Sequence, residues 1–164
     1  MKRDTRKEMR WIVGLIVLAI ASRLFPHPPN FAPITGIALF SAAKLHNKWT
    51  AFLIPLVGLF FTDLILGIGW INLFVYLSFG LISLWGQRQQ KMHLPVLVGS
   101  SLLFFLLSNL GVWILYYPAT WEGLVTTFTL AIPFYTNTLL GDLFYTTVLF
   151  FSYSFIEKRY LSAA

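Results

Sequence analysis

Long apolar runs, separated by short polar or proline-containing segments, dominate the sequence. A helix needs about 20 residues, at 1.5 Å per residue, to cross the roughly 30 Å hydrocarbon layer of a bilayer. Six runs are candidates for such helices: Met9–Phe25, Pro33–Leu45, Ala51–Leu66, Trp70–Trp85, Leu94–Tyr116 and Pro133–Ile156. A shorter run, Leu124–Ile132, is expected to be a helical approach to the last one. The pattern predicts a single all-α domain over 1–164, with six transmembrane helices.

The basic residues indicate how these helices are oriented. Cytoplasmic loops of membrane proteins are enriched in Lys and Arg. With six crossings and both termini in the cytoplasm, eleven of the twelve basic residues fall on the cytoplasmic side, and Arg23 is the exception. The external segments 67–69 and 118–123 contain no Lys or Arg. Five crossings would place Lys158 and Arg159 outside, so we expect six.

The composition agrees with a membrane protein. Hydrophobic residues make up 57% of the 164 residues and charged residues only 11%, against about 25% charged in ordinary soluble domains. So few charges exclude a water-soluble enzyme, and so much hydrophobicity excludes disorder. The net charge of +6 is explained by the Lys and Arg residues that orient the helices toward the cytoplasm. We therefore expect a multi-pass protein surrounded by the lipid bilayer, with no nucleic-acid partner.

Segment 25–33, between the first two runs, contains four prolines. The second run has only thirteen residues, about 20 Å as a helix, so part of the proline segment must lie at membrane depth. Non-helical backbone at that depth is tolerated where it is buried in protein or lines a watery cavity. The segment is therefore expected to be either a stiff turn between helices or the wall of a cavity.

Polar residues of the predicted spans gather in the outer half of the membrane. Together with two residues of the proline segment and one Trp they form a candidate substrate-binding set: Arg23, His27, Asn30, Asp63, Asn109, Trp113, Asn137 and Asp142. A charge at the bilayer centre costs about 2.5–3.5 kcal/mol on insertion scales, so such residues are paired, hydrated or functional. Arg23 is expected to pair with Asp63 or Asp142. The set predicts an outward-facing binding pocket or, alternatively, a structural network of ion pairs.

Small residues on the first two helices could serve internal packing or the docking of a membrane partner. The candidates for docking are Gly14, Ala19, Ala38 and Ala42.

Sequence motifs for catalysis are missing. The chain has no Cys, no Walker A motif, no His-Glu-x-x-His pair and no Gly-x-Ser-x-Gly elbow. His46 and His93 are assigned to the cytoplasmic side and cannot join His27 in a metal site. We therefore expect no metal, no cofactor and no enzymatic activity. An intramembrane enzyme using Asp63 and Asp142 is the weaker alternative.

The segment Arg23–Ile34, continuing to Ala38-Leu39-Phe40, resembles a family of small bacterial membrane proteins of uncharacterised function. Further resembling segments run through most of the chain: Asp63–Gly67, Val75–Phe79, Ser108-Asn109, Trp113, Ile132–Phe134 and Gly141-Asp142. That family looks like the substrate-binding S components of energy-coupling-factor (ECF) transporters in its length, its predicted topology and the position of the loop after the first helix.

The resemblance implies an ECF S-component-like fold in the bacterial inner membrane. It also implies a vitamin-like or other micronutrient substrate, captured from outside under the loop that follows the first helix. The implied partners are a transmembrane coupling protein and two cytoplasmic ATPases. S components usually carry Ala-x-x-x-Ala in the first helix, and this chain does not. Docking through Ala38 and Ala42 is one alternative. An autonomous proton-coupled transporter or channel, with Asp142 as the proton relay, is another.

Overall fold

The computed structural model describes residues 5–89 and 93–161. These residues form six α-helices: α1 (Thr5–Ser22), α2 (Ile34–Lys44), α3 (Lys48–Leu66), α4 (Ile71–Gly86), α5 (Leu94–Tyr116) and α6 (Trp121–Ile156). A π-helical turn, Glu157–Leu161, follows α6 directly. The expected all-α fold is confirmed.

Helix α2 is the centre of the bundle. It contacts all five other α-helices, and these form a closed ring around it in the order α1, α3, α4, α5, α6. Residues Ile34–Ser41 of α2 are all buried. A helix that is apolar on every side lies either in a protein core or against lipid, and α2 is covered by the other five helices, with the small residues Gly36 and Ala38 leaving room for close contact. With 11 residues, α2 is about 16 Å long and covers roughly half of a hydrocarbon layer.

Two glycines bring α6 very close to α2 and to the loop before it. A Cβ on Gly36 would lie 3.1 Å from the backbone nitrogen of Thr146. A Cβ on Gly141 would lie 3.0 Å from the Cα of Phe31. Both contacts are to backbone atoms, which cannot rotate away as a side chain can. The two glycines therefore fix how α2 and the proline segment sit against α6.

The outer surface of the ring is apolar. Large side chains such as Leu18, Ile65 and Phe151 are 70%, 70% and 71% exposed, whereas soluble monomers rarely expose large contiguous apolar patches. Three helical segments are long and apolar enough to cross a membrane: Lys48–Leu66, Leu94–Tyr116 and Trp121–Leu161. Two shorter helices, Ile34–Lys44 and Ile71–Gly86, are also apolar. These features are those of a helical membrane protein.

Basic residues gather at one end of the bundle. There the Tyr153 hydroxyl donates to Glu8 Oε1 at 2.5 Å, and Lys44 Nζ lies 4.2 Å from the centre of the Tyr153 ring. Gln87 donates to the Lys48 carbonyl at 3.0 Å, which joins the end of α4 to the start of α3. The Lys and Arg residues on helix ends of this side are Arg6, Lys7, Arg10, Lys44, Lys48, Arg88, Lys158 and Arg159. Lys2, Arg3 and Lys91 lie outside the described residues.

Several helix boundaries differ from those expected. Helix α1 ends at Ser22 rather than Phe25. The next three N–H groups donate to carbonyls three residues earlier, and Pro26 disfavours a helical conformation for Phe25. Helix α6 begins at Trp121, where the Thr120 hydroxyl accepts from the Gly123 N–H at 3.1 Å. The expected approach and the last span are thus one helix, which continues through Pro133.

Substituting Gly36 with Leu tests the close contact between α2 and α6. We expect the free energy of unfolding to fall by about 1–3 kcal/mol, because the added side chain meets the backbone of α6. The matched control is Gly14→Leu, since no atom lies within 4 Å of a Cβ at Gly14. Thermal unfolding in detergent measures both variants. Equal melting temperatures would contradict the central packing of α2.

Candidate functional site

An ion pair joins the segment after α1 to α3. Arg23 Nη1 lies 2.5 Å from Asp63 Oδ1, and the same nitrogen donates to the Thr62 hydroxyl. The second carboxylate oxygen of Asp63 accepts from Asn72 Nδ2 at 2.6 Å and from the Tyr76 hydroxyl at 2.8 Å. Asp63 is 2% exposed. Its charge is thus balanced by Arg23, and both of its oxygens are hydrogen-bonded, so the group clamps the segment after α1 to α3 and α4.

Asp142 on α6 is a second buried carboxylate, also 2% exposed. Its Oδ2 accepts a hydrogen bond from Ser101 Oγ of α5 at 2.5 Å, and the Thr35 side chain of α2 hydrogen-bonds to the same carboxylate. Both donors are uncharged hydroxyls. Because Thr35 is in the first turn of α2, the carboxylate lies beside the helix end where the peptide dipoles favour negative charge. No Lys or Arg within residues 5–89 and 93–161 forms an ion pair with Asp142.

The proline segment forms a loop over this end of the bundle. A turn closes where the Phe31 N–H donates to the Pro28 carbonyl at 3.0 Å. Asn30 has a φ of 64°, in the left-handed region that Asn tolerates better than most residues. His27 Nδ1 donates to the Pro28 carbonyl at 3.1 Å, so in the neutral ring Nε2 is an acceptor. Nε2 is buried, and no group in the described part of the chain hydrogen-bonds to it.

A cavity of about 270 Å³ lies between this loop and the helices, and we call it the loop cavity. Its polar lining residues are Arg23, His27, Asn30, Thr35, Thr138 and Asp142. Its apolar lining includes Leu59, Val75, Phe79 and Phe104 from α3, α4 and α5. The rings of Phe79 and Phe104 stack with their centres 5.0 Å apart. At about 30 Å³ per water, the volume equals about nine waters, which suits a small organic molecule.

Four of the eight residues predicted for the site line the loop cavity: Arg23, His27, Asn30 and Asp142. Asp63 lies behind them in the clamp.

Asn109 lines a second, more open cavity of about 330 Å³ on the other side of the loop, where Asn30 is again a lining residue. Trp113 Nε1 donates to the Pro118 carbonyl at 3.0 Å and so holds the connection between α5 and α6. Asn137 is half-buried and lines neither cavity.

Sequence reasoning did not assign Thr35, Ser101 and Thr138 to the site. Thr138 precedes Asp142 by four residues, so both lie on one face of α6, and that spacing was an available signal. Thr35 and Ser101 come from other helices, and their distance to Asp142 follows only from the packing.

The four residues expected to dock a partner have different surroundings. Ala38 is fully buried and Ala19 is 7% exposed, so both serve packing within the chain and present no surface to a partner. Ala42 is half-buried and lies against Gly86 of α4. Gly14 is half-buried, with open space beside it.

The fold and this site define a helical membrane protein with a polar cavity under a proline-rich loop. The chain belongs to a family of unknown function (DUF6580), whose model matches residues 3–163. No curated protein and no solved structure matches the chain significantly.

A double-mutant cycle on Arg23 and Asp63 tests the clamp. We expect Arg23→Ala to lower the free energy of unfolding by about 3–5 kcal/mol, because it leaves the buried charge of Asp63 unpaired. Asp63→Ala should cost less, because the Arg23 side chain that remains is partly exposed. The free energy of unfolding of the double variant should fall by much less than the sum of the losses in the two single variants. The control is Arg88→Ala, an exposed position expected to change stability by less than about 0.5 kcal/mol. Additive losses, measured by unfolding in detergent, would show that the two side chains do not stabilise each other.

Proposed function

We propose that this protein is a substrate-binding membrane subunit for the uptake of a small molecule, which it holds in the loop cavity. One observation carries the proposal: the buried carboxylate of Asp142 and the side chain of His27, whose Nε2 is buried without a partner in the described part of the chain, line the same cavity. Buried polar groups in native proteins nearly always have a hydrogen-bond partner. The Nε2 of His27 departs from this rule, and a bound molecule could supply its partner only if the loop shifts, because the atom is closed off in this structure.

The proposed topology has six crossings, with both termini in the cytoplasm of the inner membrane. The loop cavity lies where α1 and α3 end and α2 and α4 begin. The Lys and Arg residues described above lie at the other end of the bundle. Because basic residues favour the cytoplasmic side, the loop cavity would open outward, toward the source of a solute to be taken up.

The half-length of α2 supports a transport role. Its N-terminal turn begins below the proline loop and contributes Ile34 and Thr35 to the cavity. In many transporters, helices that begin or end inside the membrane place their backbone termini at the substrate site. In this protein the same arrangement puts the N-terminus of α2 beside Asp142.

The finer assignment follows from the sequence resemblance. We propose an ECF S-component-like protein for a vitamin-like or other micronutrient substrate, working with a transmembrane coupling protein and cytoplasmic ATPases. We propose no catalytic role, because Asp63 is engaged by Arg23, Asn72 and Tyr76 and is not a lining residue of the loop cavity. A two-carboxylate enzyme would need both acids at one substrate.

Native mass spectrometry of the purified protein tests binding in the loop cavity. We expect a small molecule to co-purify with the wild type and to be lost from Thr138→Phe, which fills the cavity from α6. The matched control is Thr136→Phe, two residues away at an exposed position of the same helix, which should keep the molecule. Retention by Thr138→Phe, or no bound molecule in the wild type, would contradict the proposed function.

The buried, hydroxyl-bound Asp142 favours a second candidate, the autonomous proton-coupled transporter. The two candidates differ in their energy source. In vesicles made without an ATPase partner, the binding subunit should show no concentrative uptake of the co-purifying molecule. Uptake that persists there and collapses with a protonophore would favour the proton-coupled transporter instead.

A further inference from the structure

The charges around the loop cavity do not cancel. Arg23 and Asp63 form an ion pair and balance each other. Asp142 has only hydroxyl donors, from Ser101 and Thr35. His27 holds its Nδ1 proton against the Pro28 carbonyl, which leaves an acceptor and no charge in the neutral ring. With His27 neutral and Asp142 ionised, the groups at the cavity sum to one uncompensated negative charge.

An ionised carboxylate at this depth needs a positive partner. Asp142 is 2% exposed, and buried charges in proteins are paired or neutralised because desolvation is costly. Hydrogen bonds from two hydroxyls reduce that cost but supply no charge. Within the described residues, the one Lys or Arg on the lining is Arg23, which pairs with Asp63. Asp142 is therefore balanced either by a proton or by a cation that enters the cavity.

The remaining lining fits the body of an organic cation. The stacked rings of Phe79 and Phe104 provide aromatic surface for the apolar part of a ligand. Leu59 and Val75 provide aliphatic surface. The Asn30 side chain at the loop offers an acceptor for an N–H group of a ligand.

We propose that the loop cavity selects small, singly charged organic cations, with Asp142 as the counter-ion of an ammonium or similar group and the Phe79–Phe104 pair against its apolar body. This inference rests on the proposed function and names its substrate class.

Three probes of nearly equal size and different charge test the selectivity: benzylamine, a cation at neutral pH, benzyl alcohol and benzoate. Binding to the full-length protein in detergent is followed by the shift in melting temperature and by calorimetry. We expect benzylamine to bind the wild type at least about tenfold more tightly than benzyl alcohol, about 1.4 kcal/mol, and benzoate not to bind.

Two variants of Asp142 separate charge from shape. Asp142→Asn keeps an acceptor for Ser101 and Thr35 and removes the charge, so the preference for benzylamine over benzyl alcohol should disappear. Asp142→Glu keeps the charge and should keep the preference. Both variants should unfold cooperatively, as a check on folding. An unchanged preference in Asp142→Asn would overturn the role of the carboxylate.

The outcomes distinguish this inference from the function on which it rests. Equal binding of benzylamine and benzyl alcohol to the wild type, or tighter binding of benzoate, shows that the cavity binds small molecules and that the cation selectivity is wrong. If none of the three probes binds the wild type and no small molecule co-purifies with it, both the selectivity and the binding function are wrong.

Discussion

The enclosure of α2 by five longer helices is the constraint on which the rest of this structure depends. An apolar helix of 11 residues spans about half of the hydrocarbon layer. The five surrounding helices are longer, so the space that they enclose extends beyond the end of α2. The chain must then cover the remaining depth with backbone that is not helical. Such backbone is stable at membrane depth only against protein or water. The proline loop and the loop cavity beneath it follow from the length of one helix.

Two buried carboxylates in one bundle have different roles because of their neighbours. Asp63 has a guanidinium, an amide and a phenol as donors, so its charge is balanced and it ties three parts of the chain together. Asp142 has two aliphatic hydroxyls and faces the loop cavity. A stabilising role is enough to explain Asp63. A buried charge on Asp142 lowers stability unless something neutralises it, and for that reason Asp142 bears on function.

The sequence was informative where a feature depends on local pattern and uninformative where it depends on packing. Apolar runs predicted the helices. The depths of Arg23, Asp63 and Asp142 limited the partner of Arg23 to one of the two Asp residues, and the structure shows that it is Asp63. The same pattern could not show that the second run is the central helix, because a run apolar on all sides has no face that identifies its neighbours. For that reason Ala38 was expected at a docking surface, whereas it is buried beneath the ring. Trp113 and Asn137 were grouped with the site by depth alone, and depth does not determine which way a side chain points around a helix.

The inner half of the bundle bears on how a solute could leave the loop cavity. Below it, Leu39 and Phe40 of α2 are fully buried, and the Phe40 ring packs edge-on against Phe150 and Tyr153 of α6 with ring centres 5.3 and 5.8 Å apart. These ring contacts fill the space between α2 and α6 at this level. Under the proposed uptake function, a solute bound under the proline loop would pass between α2 and α6 only if these helices separate. Such a movement fits the proposed binding subunit with an energised partner better than a rigid channel.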